Sequence, residues 1–156
     1  MTNDIQLKKT AAKGIGVYSM RPFEIGETVL IGHIEKILSK NHTHASQIAE
    51  HKFALHAGLI SKFNHSCDPN CGIKVNVFGG HDFVAMRKIK LNEELTFDYA
   101  MRNYRIEHFP GQCRCGENVC RGSITGWKDL PQHRKEQYFG FVAPYLIEMD
   151  LKVLAC

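Results

Sequence analysis

The 156-residue sequence predicts a single, mainly β domain with helices confined to its C-terminal end. Short apolar or alternating stretches at residues 16–20, 27–31 and 73–78 have the length and β-branched content of strands. The spacers between them are short and turn-like, which argues against helices that alternate with parallel strands. A chain of this length can bury a substantial core as one domain.

The strongest local signal is a hairpin. Ile73, Val75 and Val77 alternate with polar residues and lead into Gly79-Gly80. Two glycines in succession favour the positive φ angles of a tight turn. We therefore expect two antiparallel strands joined at these glycines.

The C-terminal segment has the periodicity of a helix. Asp129 is a predicted N-cap, with Pro131 in the first turn, and Tyr138 and Tyr145 belong to an apolar stripe at helical spacing. Pro144 is expected to end or kink this helix. We interpret the stripe as the face that packs on the core.

The composition excludes several classes of protein. Hydrophobic residues make up 44% and charged residues 23% of the chain, which is ordinary for a globular protein. No stretch reaches the roughly 18 apolar residues of a membrane span, and the first residues lack the apolar core of a secretory signal. We therefore expect an intracellular protein whose six cysteines are thiols or metal ligands. The net charge of +4 permits an acidic partner without predicting one.

Three of those cysteines are clustered. Cys113, Cys115 and Cys120 form a C-x-C-x4-C pattern on a glycine-containing loop, where three thiolates can converge on one zinc ion. A structural zinc needs a fourth ligand, and the residues alone leave the choice open between Cys67, Cys71, Cys156 and a histidine. The simpler alternative is three free thiols packed in a loop, which is rare at this density in a reducing compartment.

A second polar segment covers residues 63–71 (FNHSCDPNC). Asn64 offers two donors and one acceptor, and Asp68-Pro69-Asn70 is a turn signal that orders the backbone. The segment is either an ordinary turn-rich loop or a ligand-holding loop that Cys67 ties to the metal. Local chemistry does not separate the two.

These motifs, taken in order, resemble those of SET-domain protein lysine methyltransferases with a post-SET zinc motif. The matching stretches are residues 13–18 (KGIGVY), 26–29 (GETV), 64–70 (NHSCDPN), 93–99 (EELTFDY) and the cysteine cluster followed by Arg121-Gly122. The resemblance covers about residues 13–124 and lacks a cysteine-rich pre-SET region. Near the position of the family's second active-site tyrosine, the sequence has His44.

The resemblance implies a SET-domain fold of several small curved sheets with a pseudo-knotted C-terminal part. It predicts a SET domain at residues 10–105, a post-SET zinc-binding loop at residues 110–124 and a C-terminal helical extension at residues 125–156.

The resemblance also implies two bound groups, S-adenosylmethionine (SAM) and a zinc ion. In the family, the glycine loop and the Asn-His pair hold SAM. The implied cofactor-binding residues are Lys13, Gly14, Ile15, Gly16, Asn64, His65, Tyr99 and Ile124. The implied zinc ligands are Cys67, Cys113, Cys115 and Cys120.

Two aromatic residues carry the implied chemistry. Tyr99 matches the catalytic tyrosine, whose phenol oxygen orients the neutral lysine amine for in-line attack on the methyl group. Phe97 stands at the phenylalanine/tyrosine switch, where a phenylalanine leaves room for added methyl groups. The resemblance therefore predicts transfer of methyl groups to a lysine ε-amine, with di- or trimethylation as product.

The implied partner is a lysine-containing protein or peptide, with histone tails as the family's usual substrate. The location would be the cytoplasm or the nucleus, and delivery into a host cell is also compatible. Direct nucleic-acid binding is not expected, because basic residues are spread along the chain without an aromatic platform. A homodimer is a further hypothesis, suggested by Tyr138, Phe139, Phe141 and Tyr145.

Two other functions remain open at this point. One is a catalytically weak SET-like, zinc-containing module that binds peptides, and the other is a small basic zinc protein that binds nucleic acid. The presence of both Tyr99 and Asn64 favours the methyltransferase.

Overall fold

The computed structural model describes residues 3–109 and 111–156. Pro110, the first residue of the predicted post-SET loop, lies outside this part. Ten short strands and two α-helices occur in the described residues. The strands are β1 (Ile5–Lys9), β2 (Ile15–Ser19), β3 (Thr28–Leu30), β4 (Ile34–Leu38), β5 (Ser46–Ala49), β6 (Lys52–His56), β7 (Asn64–His65), β8 (Cys71–Val75), β9 (His81–Ala85) and β10 (Glu94–Phe97). The helices are α1 (Gln132–Gln137) and α2 (Pro144–Leu154), with 3₁₀ turns at Ile60–Lys62, Tyr99–Met101 and Trp127–Asp129. This architecture confirms the predicted mainly β class with helices at the C-terminal end.

The first sheet has the strand order β1-β2-β10-β7 and carries the functional motifs. Strand β10 pairs antiparallel with β2, where Leu95 lies opposite Val17, and parallel with β7, where Phe97 lies opposite His65. The central place of β10 therefore brings the glycine motif and the Asn-His pair to either side of the Phe97 strand.

Two three-stranded sheets, β3-β9-β8 and β4-β6-β5, complete the β structure of the described residues. The core between the sheets contains three aromatic rings that are at most 2% exposed: Phe63 stacks on Phe83 at 4.2 Å, and Phe83 meets Phe97 edge-on at 4.8 Å. Offset and edge-on packing of this kind adds to the free energy of area burial. It also makes Phe97 part of the core, which holds the strand before Tyr99 in place.

The predicted hairpin forms, but the prediction of a turn at Gly79-Gly80 alone is wrong. Strands β8 and β9 separate at Val75 and His81, so residues 76–80 form the connection. The Asn76 side chain closes this loop, because its Oδ1 accepts hydrogen bonds from the backbone N–H groups of Phe78 and Gly80, each at 3.0 Å. The backbone N–H of Asn76 also donates to the Gly80 carbonyl at 2.9 Å, so Asn76 closes the loop through both its backbone and its side chain.

The prediction of one C-terminal helix that Pro144 ends or kinks is also wrong, because two separate helices form there. Helix α1 ends at Gln137, Gly140 adopts a φ of 84°, and Pro144 begins α2 at the first position of the helix. A proline is tolerated there because its missing N–H would have no partner inside the helix. Pro144 therefore starts a helix that it was expected to end or kink.

The tail packs firmly on the domain. Trp127, Tyr138 and Leu146 are at most 3% exposed, and the Asp150 carboxylate accepts hydrogen bonds from Trp127 Nε1 at 2.9 Å and the Tyr104 hydroxyl at 3.0 Å. The buried side chains of this tail are therefore part of the same core. In the part of the chain that the structure covers, neither helix is long and apolar enough to cross a membrane.

Candidate cofactor and zinc site

A cavity of about 230 Å³ lies between the first sheet and the loop that carries the cysteine cluster. It is lined by residues from the glycine motif, the Asn-His pair, the end of β10 and the cysteine loop. Among them are Lys13, Asn64, His65, Tyr99, Cys113 and Ile124. The structure thus brings into one cavity wall residues that are far apart in the sequence.

The glycine motif and Asn64 are joined through Glu94. Asn64 Nδ2 donates to the Ile15 carbonyl at 3.0 Å and to Glu94 Oε1 at 2.9 Å, while Glu94 Oε2 pairs with Lys13 Nζ at 2.8 Å. A Cβ atom at Gly16 would lie 2.6 Å from Glu94 Oε1, so only glycine permits this close packing. Both amide protons of Asn64 are used in this way, and its Oδ1 is the group left to bind a ligand.

Tyr99 lies where the cavity meets the core. Its hydroxyl donates to the Phe63 carbonyl at 3.1 Å, and its ring packs against Phe97 at 5.0 Å and against Phe109 at 5.1 Å. Burial raises the pKa of Tyr99 above the ordinary phenol value, so its hydroxyl is neutral at physiological pH. The site therefore presents a neutral hydroxyl beside a backbone carbonyl, without a charged base at this point.

His65 connects Tyr99 to the cysteines. Its Nδ1 accepts the backbone N–H of Tyr99 at 3.2 Å, so in the neutral ring the proton resides on Nε2, which faces Cys67 Sγ at 3.4 Å. Burial lowers the pKa of His65 to about 4, which keeps the ring neutral. One imidazole thus links the backbone of the tyrosine to a thiol of the cluster.

The four cysteines expected to bind zinc are brought together. The sulfur atoms of Cys67, Cys113, Cys115 and Cys120 all lie within 4.8 Å of one another, and the first two are 4.0 Å apart. A tetrahedral zinc site with Zn–S bonds of about 2.3 Å separates its sulfurs by about 3.8 Å, so this donor set fits Zn²⁺.

The surroundings of the sulfurs also fit a thiolate site. The backbone N–H of Arg121 donates to Cys67 Sγ and that of Gly122 to Cys120 Sγ, both at 3.4 Å. Such N–H···S bonds are typical of the outer shell that orients metal-bound thiolates. Burial raises the pKa of the Cys67 thiol, and a divalent cation would offset that cost by stabilising the thiolate. Cys71 is buried in β8 and Cys156 is exposed, and both lie outside the cluster.

Asp98 ties the cysteine loop and the tail to the end of β10. Its fully buried carboxylate receives both terminal nitrogens of Arg121, at 2.6 and 3.1 Å, and the Tyr138 hydroxyl at 3.0 Å. A bidentate Arg–carboxylate pair of this kind fixes geometry as well as charge. The residue next to Tyr99 is therefore held from two directions.

Three other residues singled out in the sequence, Gly14, Phe97 and His44, differ in their position relative to the cavity. Gly14, with a φ of 77°, turns the loop whose Ile15 carbonyl meets Asn64, and Phe97 is fully buried behind Tyr99. His44 is exposed, with its ring against His42 at 6.5 Å. No hydrogen bond or ring contact joins it to Tyr99 in the described part of the chain.

Sequence reasoning missed Phe109 and the bridging role of Glu94. Glu94 belongs to the EELTFDY motif, so the motif itself could have signalled it, whereas Phe109 lies between motifs and carries no local pattern.

A second, larger groove of about 700 Å³ runs past the segment that contains Phe109 and is lined by Gln47, Tyr104, His108 and Met149. The groove and the cavity share one wall, because His108 lines the groove and its neighbour Phe109 lines the cavity.

The chain is similar in sequence to histone-lysine N-methyltransferases. The histone-lysine N-methyltransferase ATXR3 of Arabidopsis thaliana is 41% identical over 81 residues, which are 47% of this chain and 4% of that protein. An H3 lysine-36 specific histone-lysine N-methyltransferase of Aspergillus oryzae is 30% identical over 138 residues, covering 76% of this chain and 14% of that protein. The chain thus spans only a small fraction of the length of these relatives.

A solved structure supports the fold. The crystal structure of a proposed histone methyltransferase from Plasmodium falciparum superposes with a TM-score of 0.53 at 17% identity, covering 62% of this chain and 93% of that one. The family model described as the SET domain matches residues 14–100, which include the glycine motif, the Asn-His pair and Tyr99. The chain therefore belongs to the SET-domain family.

Proposed function

We propose that this protein transfers methyl groups from SAM to the ε-amine of a lysine in a protein substrate. The observation that carries the proposal is the position of the Tyr99 hydroxyl, 3.1 Å from the Phe63 carbonyl, at the cavity that Asn64 and His65 line. These groups supply what methyl transfer needs, namely a cofactor pocket, oxygen atoms around the transferred group and a neutral environment.

SAM supplies an electrophilic methyl group on a sulfonium, and the chain's residues bind and orient it. Asn64 Oδ1 is free to accept from the amino group of its methionine moiety, since Glu94 and Ile15 hold the Asn64 amide protons. We assign the backbone of residues 13–16, which Gly14 turns with a φ of 77°, to binding SAM, and the His65 backbone and Ile124 to the adenine. Zinc on the cysteine cluster would pin the loop that forms the opposite wall of the cavity.

The chemistry is an in-line displacement by a neutral amine. The Tyr99 hydroxyl and the Phe63 carbonyl present two oxygen atoms that polarise the methyl through weak C–H···O contacts. Alignment of donor and amine provides much of the acceleration in a reaction of this type. Burial of the incoming lysine beside the aromatic rings of Tyr99 and Phe109 would lower its pKa, because burial disfavours the charged form. We assign Tyr99 as the residue that orients the amine.

Phe97 sets the product. It carries no hydroxyl that could hold a water beside the amine, and its ring is fully buried against Tyr99. We therefore assign di- and trimethylation to this site.

The substrate enters by the 700 Å³ groove. This groove adjoins the Tyr99 pocket through the neighbouring residues His108 and Phe109, and its size suits an extended peptide segment. Histones are the first acceptors to test, since the relatives are named histone-lysine methyltransferases. The cytoplasm and the nucleus both suit such a substrate.

We assign residues 10–105 to the SET domain, residues 110–124 to the zinc loop and residues 125–156 to a helical extension. A homodimer contact would involve Phe139, the tail aromatic that faces solvent most at 76% exposure, and would exclude Tyr138, which is buried in its own chain.

The proposal is tested by incubating the purified protein with tritiated SAM and recombinant core histones. We expect labelled histone with the wild type and with Tyr18→Phe, a control outside the cavity, and at least a tenfold lower rate with Tyr99→Phe. Equal labelling by Tyr99→Phe would remove Tyr99 from its role. SAM binding by a wild type that labels no histone would favour a peptide-binding module or another acceptor.

A further inference from the structure

Arg102 is a buried cation without a counter-charge. The residue is 5% exposed, and its Nε and Nη1 atoms have no hydrogen-bond partner within the described residues. No carboxylate of the described part lies within ion-pair distance of its guanidinium, since the arginine ion pairs there involve Arg21, Arg87 and Arg121. An unpaired buried charge is costly for stability, which calls for an explanation.

The guanidinium lies next to Phe97, the aromatic residue that packs against Tyr99 at the proposed reaction site. Its central carbon is 4.8 Å from the ring centre of Phe97 and 6.0 Å from that of Phe83. Arg102 directly follows the 3₁₀ turn at Tyr99–Met101, and its backbone N–H approaches the Tyr99 carbonyl at 3.5 Å. The cation is therefore fixed relative to Tyr99 and Phe97.

The histidines that face Arg102 are neutral. On β6, His56 Nε2 accepts the backbone N–H of His81 at 3.2 Å, so its proton is on Nδ1, which contacts Ser46 Oγ at 3.0 Å. Burial, together with the nearby Arg102 charge, lowers the pKa of His56 to about 3. Burial likewise lowers the pKa of His81, on β9, well below the ordinary value.

The other facing groups do not neutralise the charge either. The Tyr145 hydroxyl on α2 lies within hydrogen-bond distance of the carbonyls of Gln47 and Arg102 and has one proton to share between them. Burial raises the pKa of this phenol, so it is un-ionised. The carboxylates near Tyr99 are already held, Asp98 by Arg121 and Glu94 by Lys13. None of the described groups that face Arg102 neutralises it, and although burial lowers the pKa of its guanidinium to about 10, the group is positively charged at physiological pH.

We propose that Arg102 tunes the reaction through space: its fixed charge disfavours a second cation beside Tyr99 and Phe97 and so holds the substrate lysine in the neutral, nucleophilic form. This inference rests on the proposed function. A unit charge at 6 to 8 Å in an effective dielectric near 20 lowers a neighbouring amine's pKa by about 1 to 2 units. Arg102 thus supplies part of the deprotonation that a site without a charged base needs.

The same charge acts on the methyl donor. SAM carries a positive sulfonium and its product S-adenosylhomocysteine does not, so a fixed cation near the methyl group weakens binding of SAM relative to the product. The ratio of the two dissociation constants therefore reports on the Arg102 charge without any turnover.

The test compares Arg102→Met, which keeps the size and removes the charge, with Arg134→Met, a matched loss of charge on α1. Histone methylation is measured with tritiated SAM from pH 6.5 to 10, and both ligands are titrated calorimetrically. In Arg102→Met we expect the rising limb of kcat/KM to move up by about 1 to 2 pH units. We also expect the SAM-to-product ratio of dissociation constants to fall by at least about 3-fold. Arg134→Met should match the wild type, and Arg102→Lys should lie between wild type and Arg102→Met.

Stability separates this role from a structural one. Removing an unpaired buried charge should leave the Tm unchanged or raised, whereas a packing role predicts a lower Tm with an unmoved pH profile. The proposal would be overturned by a folded Arg102→Met whose pH profile of kcat/KM and whose ratio of dissociation constants match those of the wild type. It would also be overturned if Arg102→Met were less active but had an unchanged pH profile. If Arg102→Met does not fold, Arg102→Gln is measured in the same way.

Failure of the proposed function has a different signature. A wild type that binds both ligands but labels no histone would overturn the histone methyltransferase assignment, and the ratio would still decide the role of Arg102. A wild type that binds neither ligand would overturn both.

Discussion

The backbone N–H of Tyr99 donates to His65 Nδ1 across 3.2 Å, and the opposite nitrogen of the same ring lies 3.4 Å from Cys67 Sγ. A change at the cysteine cluster is therefore separated by one side chain from the proposed catalytic tyrosine. This arrangement gives the zinc site a role in positioning Tyr99 as well as in closing the cavity.

The first prediction concerns this zinc site. The purified wild type should contain one zinc ion per chain by inductively coupled plasma mass spectrometry, and Cys67→Ser should contain well under half of that, because one of four thiolates is lost. Cys156→Ser, at an exposed position outside the cluster, is the control. A strong chelator should abolish methyl transfer before it lowers the Tm, since the aromatic core lies apart from the cluster. Full zinc content in Cys67→Ser would contradict the assignment.

The second prediction concerns Phe97. Phe97→Tyr should shift the product toward monomethyl-lysine, because the new hydroxyl holds a water where further methyl groups would stand. Mass spectrometry of a time course at excess enzyme measures the product distribution, with Phe139→Tyr on the exposed tail as the matched control. A wild type whose product never advances beyond one methyl group would refute the assignment of Phe97.

The third prediction concerns the link between the tail and the site. Tyr138→Phe removes a hydrogen bond of 3.0 Å to the buried Asp98 carboxylate, which should cost about 1.5 to 3 kcal/mol of the free energy of unfolding. Urea denaturation measures the change, and Tyr18→Phe is the control. An unchanged midpoint would mean that Arg121 and the Ala100 backbone N–H satisfy Asp98 without Tyr138.

The fourth prediction concerns acid stability. His56 and His81 have folded-state pKa values below their unfolded value near 6.5, so the unfolded chain binds protons that the folded chain excludes as the pH falls. Each should therefore reduce the free energy of unfolding by up to about 1.4 kcal/mol per pH unit below pH 6.5, with no contribution above it. His56→Gln should flatten the pH dependence measured by urea denaturation between pH 7 and 4. His133→Gln, at an exposed position, should leave it unchanged, and equal slopes in both variants would exclude His56 as a source.

Much of the site was predictable because its residues belong to contiguous motifs. Asn64, His65 and Cys67 lie within four residues, and the EELTFDY stretch places Glu94 at the start of β10 and Tyr99 just after its end. The fourth cysteine ligand was left open by spacing alone. It depends on the pairing of β7 with β10, which brings Cys67 to the distant cluster.

The errors and omissions have tertiary causes. The turn after β8 is set by the Asn76 side chain, and Pro144 starts a helix because Gly140 has already ended the preceding segment. No sequence pattern indicates that Phe109 or Arg102 belongs to the site. Phe109 lies in an irregular segment, and Arg102 is a charged residue whose burial only the folded chain reveals. Local patterns therefore predicted the chemistry better than the surroundings that tune it.

Transfer of methyl groups to lysine, with Tyr99 at the reaction centre, can be detected by mass mapping of the acceptor. Recombinant core histones incubated with SAM and the wild-type protein are digested and sequenced by tandem mass spectrometry, in parallel with Tyr99→Phe. We expect mass increments of whole methyl groups on lysine side chains, advancing to two or three per lysine with the wild type and nearly absent with Tyr99→Phe. Methyl groups found only on other residue types, or equal lysine methylation by both proteins, would contradict it.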